Sequence, residues 1–328
     1  MTSLSKFSRV SATVGSVVWL LLLPTTTSDA RETELIHRVV FFGMLVIVPL
    51  GLSLVRTVDE PESLWHRLAV LVQPFAVLPA IGSFFLKTGP LAAALASVWL
   101  ILAVLVALLG LTRFKARGLF PVEESSIDAG LIYLTVAGMW LVVYRLGVQP
   151  FEYGETIILL TVVHFHFAGF AAPIIAGMSG RVLATRKHPQ TMFRISVLAL
   201  VAAMPLVAAG ITFSPWLGFI GTLILSTGLL LLAVLTIGWV IRAIKPSSSR
   251  VLLVFGALCT CAAMLLACLY AFSLATKTLI ITIPTMALTH GLLNAFGFAT
   301  CSLLAWSRIT QQVLPTTPPQ RQVVAQPR

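Results

Sequence analysis

Ten apolar runs divide this chain between positions 10 and 306, and the polar links between them are short. The runs cover 10–23, 37–55, 68–86, 91–111, 127–144, 156–178, 195–213, 216–240, 251–274 and 279–306. A helix that crosses a bilayer needs about 20 mostly apolar residues; the first and fifth runs are the shortest. In lipid a backbone must satisfy its own hydrogen bonds, which leaves helices or a closed barrel. None of the runs alternates with the period of two that barrel strands require. The expected fold is therefore all-α, a polytopic transmembrane helix bundle of about ten spans over residues 1–308, with no soluble domain. Residues 309–328, rich in Pro, Gln and Val, are expected to form a disordered cytoplasmic tail. Pro74, Pro173, Pro205 and Pro284 fall inside runs and predict kinks.

The charges set the orientation. With 58% hydrophobic and 10% charged residues, and a mean hydropathy of +0.99, a soluble globular domain is excluded. A net charge of +11 suggests nucleic acid, and its distribution argues against that partner. With a cytoplasmic N-terminus, only Arg31, Arg38, Lys87, Arg145 and Lys277 lie outside, against 17 of the 22 Lys and Arg inside. That is the positive-inside pattern. It predicts both termini in the cytoplasm and the bilayer, not nucleic acid, as partner. The basic stretch from Arg181 to Arg194 reads as one of the orientation determinants. Lys6, Arg9, the run ending at Leu23 and Ser28-Asp29-Ala30 also have the layout of a signal peptide; retention as a first helix is the preferred reading.

Cys259, Cys261, Cys268 and Cys301 all lie in the last two runs and read as packed small hydrophobes, since stapling disulfides belong to small extracellular domains. Cys259 and Cys261 point to different helix faces, which argues against a metal pair.

Titratable groups deep in a bilayer are disfavoured and mark functional positions. His164 and His166 lie about 12–15 Å below the outer start of the sixth run, His290 about 16 Å into the tenth and Asn294 about 22 Å, counting 1.5 Å per residue. Both runs cross in the same direction, so these groups share a depth. Met286, His290, Asn294 and Gly297 form one helical stripe, and Gly297 admits a close neighbour. His164 and His166 are turned about 200° apart; one is expected to face the tenth run and the other a different neighbour. Gln73, beside Pro74, is a further polar group near mid-depth. Each histidine can also serve simply as a tie between helices, bonding a carbonyl or hydroxyl. Three imidazoles suit zinc, iron or copper, but the diverging pair makes a three-histidine site awkward. No H-E-x-x-H, C-x-x-C-H or paired-carboxylate motif specifies a metal or cofactor. Asp128 and Glu155 read as carboxylates in the first turn of their helices.

Val163-His-Phe-His-Phe-Ala-Gly-Phe170 and Thr289-His-Gly-Leu-Leu-Asn-Ala-Phe-Gly-Phe298 resemble the YndJ-like family of bacterial integral membrane proteins. The resemblance implies a multi-spanning protein of the bacterial cytoplasmic (inner) membrane and singles out His164, His166, His290 and Asn294. It supplies no reaction.

Two functions compete. One is a transporter or permease for a small or lipophilic solute, with the polar stripe, and Gln73, as its binding site. The alternative is an intramembrane enzyme acting on a lipid or isoprenoid, with a histidine as acid or base and Asn294 orienting the substrate. A haem or metal-binding membrane protein is a third reading.

Overall fold

The computed structural model describes residues 3–56, 62–185 and 189–309, and within them the chain runs through ten consecutive helices and no strand. They are α1 (Ser3–Leu22), α2 (Arg31–Val55), α3 (Leu64–Phe85), α4 (Pro90–Arg117), α5 (Val122–Leu146), α6 (Glu155–Leu183), α7 (Gln190–Phe213), α8 (Pro215–Ala243), α9 (Ser247–Thr276) and α10 (Ile283–Arg308). Among the described residues α2 to α10, nine helices, are long and apolar enough to cross a membrane. The protein is a polytopic all-α bundle. Expectations for the tail beyond Ile309 and for Arg186 and Lys187 of the basic stretch fall outside the described residues.

Two element ends differ from the sequence reading, for identifiable reasons. The fifth run, the second shortest by apolarity, belongs to a 25-residue helix, because its polar first turns are taken up by ion pairs rather than left in water. The tenth helix starts at Ile283, where the Thr282 hydroxyl accepts the Thr285 N–H as an N-cap. Pro284 thus sits in the first turn, where a missing N–H leaves nothing unsatisfied, and is no mid-helix kink. Pro74 and Pro205 do lie inside helices.

The centre of the bundle is α2. From Val39 onward its sequence is apolar on every face, and its whole apolar window is buried. Helices α1, α6 and α10 pack around it. The face of α1 that meets α2 carries Ser8, Ala12 and Gly15, small enough to bring the backbones together: a Cβ on Gly15 would lie 2.1 Å from the Leu45 carbonyl oxygen. Ser8 donates to the Pro49 carbonyl at 2.7 Å.

An ion network joins four helices at the end of the bundle where Arg113 and Arg181 lie. Glu124 accepts from Arg181 (Nε, 2.6 Å) and from Arg113 (2.7 Å). Asp128, 1% exposed, accepts from Arg113 at 2.8 Å and Arg117 at 2.7 Å. Arg181 also donates to the Leu54 and Val55 carbonyls, 2.8 and 2.7 Å, which end α2. Two expectations are corrected here. Asp128 lies beyond the first turn of its helix, which starts at Val122, and Arg181 lies within α6 rather than in the cytoplasmic link after it; both are buried members of this network.

Candidate functional site

The middle of the bundle is built from loosened helices. In α6 the backbone is π-helical over Phe165–Ala171, in α10 over Ala287–Gly291 and Leu293–Thr300, and in α2 over Gly43–Ile47. The segment in α6 contacts those of α2 and α10. Pro173 and Pro49 each stand two residues beyond a π segment, so a wide turn takes the place of the clash that proline makes inside an α-helix. Short side chains bond the carbonyls left one residue further back: Thr300 donates to Ala295 O at 2.6 Å and Cys301 to Phe296 O at 3.3 Å. Such π turns concentrate at functional positions.

His164 and His290 meet beside these segments. Their rings stack with centroids 6.3 Å apart and planes 26° apart. Their depths match, about 14 Å along α6 and about 11 Å along α10 from the same end of the bundle, at 1.5 Å per residue. His164 Nδ1 lies 2.7 Å from the Leu160 carbonyl and His290 Nδ1 lies 2.9 Å from the Ala263 carbonyl of α9. A carbonyl only accepts, so both rings carry their proton on Nδ1. Asn294 Nδ2 is 3.0 Å from the His290 carbonyl and 3.2 Å from His290 Nε2, which fixes the amide as a donor toward both. His164 is exposed on the surface of the bundle; His290 and Asn294 are half-buried. Gly297 abuts Cys259 of α9, where a Cβ would lie 2.5 Å from the sulfur.

The other two sequence candidates are placed elsewhere. His166 is fully buried, donates from Nδ1 to the Val162 carbonyl at 2.8 Å, and accepts at Nε2 from the Trp99 indole at 3.1 Å. Both nitrogens are occupied, and the ring is a tie between α6 and α4. Gln73 is 2% exposed; it accepts from Ser11 at 2.7 Å and donates to the Met44 carbonyl at 3.0 Å, joining α1, α2 and α3. The candidates that the structure brings together are His164, His290 and Asn294. Among the described residues no three His, Cys, Asp or Glu side chains gather in a metal-binding set. An apolar cavity of about 10 Å³ between α6, α8, α9 and α10, near Thr260 and Phe298, is lined by none of the three.

Sequence reasoning missed a second polar row, between α2 and α5. Glu34 accepts from the Thr27 N–H (2.9 Å) and hydroxyl (2.8 Å), Thr27 Oγ1 lies 2.9 Å from His37 Nδ1, and His37 Nε2 lies 2.7 Å from the Tyr144 hydroxyl. Glu34 is also paired with Arg38. The only sequence signal was Glu34, His37 and Arg38 sharing one helix face. The ion network had a clearer signature: a basic i,i+4 pair, Arg113 and Arg117, and an acidic one, Glu124 and Asp128, flank a four-residue turn at 118–121 and so face each other across it.

A family model described as YndJ-like protein matches residues 38–298, well over half of the chain. The uncharacterized membrane protein YndJ of Bacillus subtilis (strain 168) is 28% identical over 294 residues, which make up 89% of this chain and 52% of that relative. The chain therefore spans about half the length of this relative. No solved structure matches it significantly.

Proposed function

The chain belongs to the YndJ-like family of membrane proteins, and from that premise we propose that it is a transporter or permease for a small or lipophilic solute. The solute reaches His164, His290 and Asn294 from the bilayer. One observation carries this reading: His164 lies exposed on a membrane-spanning helix with its ring stacked on His290. An imidazole turned to lipid is disfavoured unless something polar comes to it. The π-helical turns beside it give α6 and α10 backbones that can rearrange around a guest.

The enzymatic alternative is less well supported. Acid–base chemistry needs a donor and an acceptor of matched strength at the reacting atoms. This site offers two imidazoles with their ring protons bound to carbonyls, and an amide. We place the protein in the bacterial cytoplasmic membrane with both termini inside, as the 17-to-5 division of basic residues supports.

The test is metabolite and lipid profiling of a deletion strain, separately for cells and medium, complemented by the wild type, His164→Ala or His290→Ala. Transport predicts an unmodified compound redistributed between compartments and restored only by the wild type. A chemical precursor accumulating without its product would replace transport with the enzymatic reading.

A further inference from the structure

The hydrogen bonds at this site specify which kind of head group it takes. The inference rests on the transport reading for the location of the site and adds the class of its ligand.

Charge comes first. Helix α6 carries no Asp, Glu, Lys or Arg between Glu155 and Arg181, α9 none between Arg250 and Lys277, and α10 none before Arg308. All three helices that supply polar partners at the site are uncharged through the membrane. A phosphate, carboxylate or ammonium head would enter without a counter-charge, at a cost that burial makes large.

Polarity comes second. The Nδ1 protons of His164 and His290 are committed to the Leu160 and Ala263 carbonyls. The Asn294 amide protons are directed to the His290 carbonyl and to His290 Nε2. Thr161 and Thr289, the hydroxyls nearest in sequence, donate to Ile157 and Thr285 of their own helices at 2.8 and 2.6 Å. The donors of His164, His290, Asn294, Thr161 and Thr289 are thus spoken for. The acceptors are not: among the described residues His164 Nε2 and Asn294 Oδ1 have no hydrogen-bond partner, and His164 Nε2 belongs to an exposed side chain. A site made of free acceptors and engaged donors selects a ligand that donates.

We propose that the ligand is an uncharged apolar alcohol, a hydroxyl on a lipid-soluble body, whose O–H donates to His164 Nε2. Its apolar part lies in the hydrocarbon outside. A ketone, ether or ester of the same body lacks the proton the site requires, and a fatty acid brings a charge it cannot balance. Lipid, unlike water, offers His164 Nε2 no donor of its own, so a ligand that supplies one is favoured over one that cannot.

The experiment uses the full chain, ¹⁵N-labelled at histidine, in lipid nanodiscs, read by long-range proton–nitrogen correlation. The probes are hexadecan-1-ol, its methyl ether and hexadecanoic acid, with His164→Gln to assign the His164 signals. The expected result is a saturable upfield shift of His164 Nε2 with the alcohol, an unchanged Nδ1, and no shift with ether or acid. An equal shift with the ether overturns the proposal, since no donor would then be needed. So does a response to the acid alone, or none to the alcohol. His164→Gln exchanges an exposed side chain, and the probe comparison on the unaltered protein needs no variant to fold. A protein that binds the alcohol but moves none between vesicle leaflets upholds this ligand class and overturns transport instead.

Discussion

His37 and Tyr144 stand 107 positions apart in the chain and are joined by a 2.7 Å hydrogen bond between Nε2 and the phenol. Thr27 gives its single proton to the Glu34 carboxylate, so His37 must donate to Thr27 and accept from Tyr144. The row has a direction as well as a set of members. Tyr144→Phe leaves His37 Nε2 buried without a donor, and should lower stability by about 1–3 kcal/mol. Thermal unfolding in detergent checks this, and Thr27→Val should show a loss of the same kind.

The two histidines of α6 are expected to separate experimentally. Trp99→Phe removes the donor to the fully buried His166 and should cost about 1–3 kcal/mol, seen as a lower melting temperature. His166→Ala should be worse, because it also opens a cavity under Trp99. His164→Ala should leave the melting temperature nearly unchanged and abolish the complementation described above.

His290 braces α9 through the Ala263 carbonyl, and the transport proposal adds a binding role. His290→Ala loses one bond to α9, worth on the order of 1 kcal/mol in a membrane, and is expected to insert at near-normal levels while failing to complement. Asn294→Ala should behave alike. Thr282→Ala removes an N-cap and should cost about 1 kcal/mol without loss of function. Full complementation by well-expressed His290→Ala would make that residue a brace only.

Glu124 collects three arginines, Arg113, Arg181 and, at 3.3 Å, Arg117, and its neutralisation should be severe. Glu124→Gln strands buried guanidinium groups, a change that typically costs about 3–5 kcal/mol. Low expression or early aggregation on heating is the expected readout.

Reporter fusions after Lys87 and after Lys245 should report the outside and the cytoplasm respectively. Lys245 suits this test because it follows α8 in the turn before α9, whereas Arg181 is locked inside α6. The opposite result would invert the orientation and leave the internal contacts untouched.

The bundle was legible because every span is a long apolar run, and the divergence of His164 from His166 followed from helix geometry alone. That one of the two would meet His290 followed from depth and direction; that it is His164 did not. What closed each neighbouring contact did not. Trp99 could not be assigned to His166, nor Tyr144 to His37, because those partners are set by which helices lie side by side. Asp128 was misread for a related reason: its cations stand on the preceding helix, and a reading confined to its own first turn found a dipole instead. The π turns left no trace in composition, since apolar side chains fill wide and narrow turns equally well.

Those wide turns decide where the bundle tolerates a change in count. Position along an α-helix advances by about 100° per residue, and a π turn absorbs one residue more than an α turn. Loss of a single codon within 165–171 would let α6 run on as plain α-helix, one residue fewer covering nearly the same rotation. Ile174, now fully buried, would keep its place in the core, and Arg181 would still face Glu124 and the end of α2. The same loss within the plain α-helix at 174–180 has no wide turn to take it up, and would swing Arg181 by that angle away from Glu124.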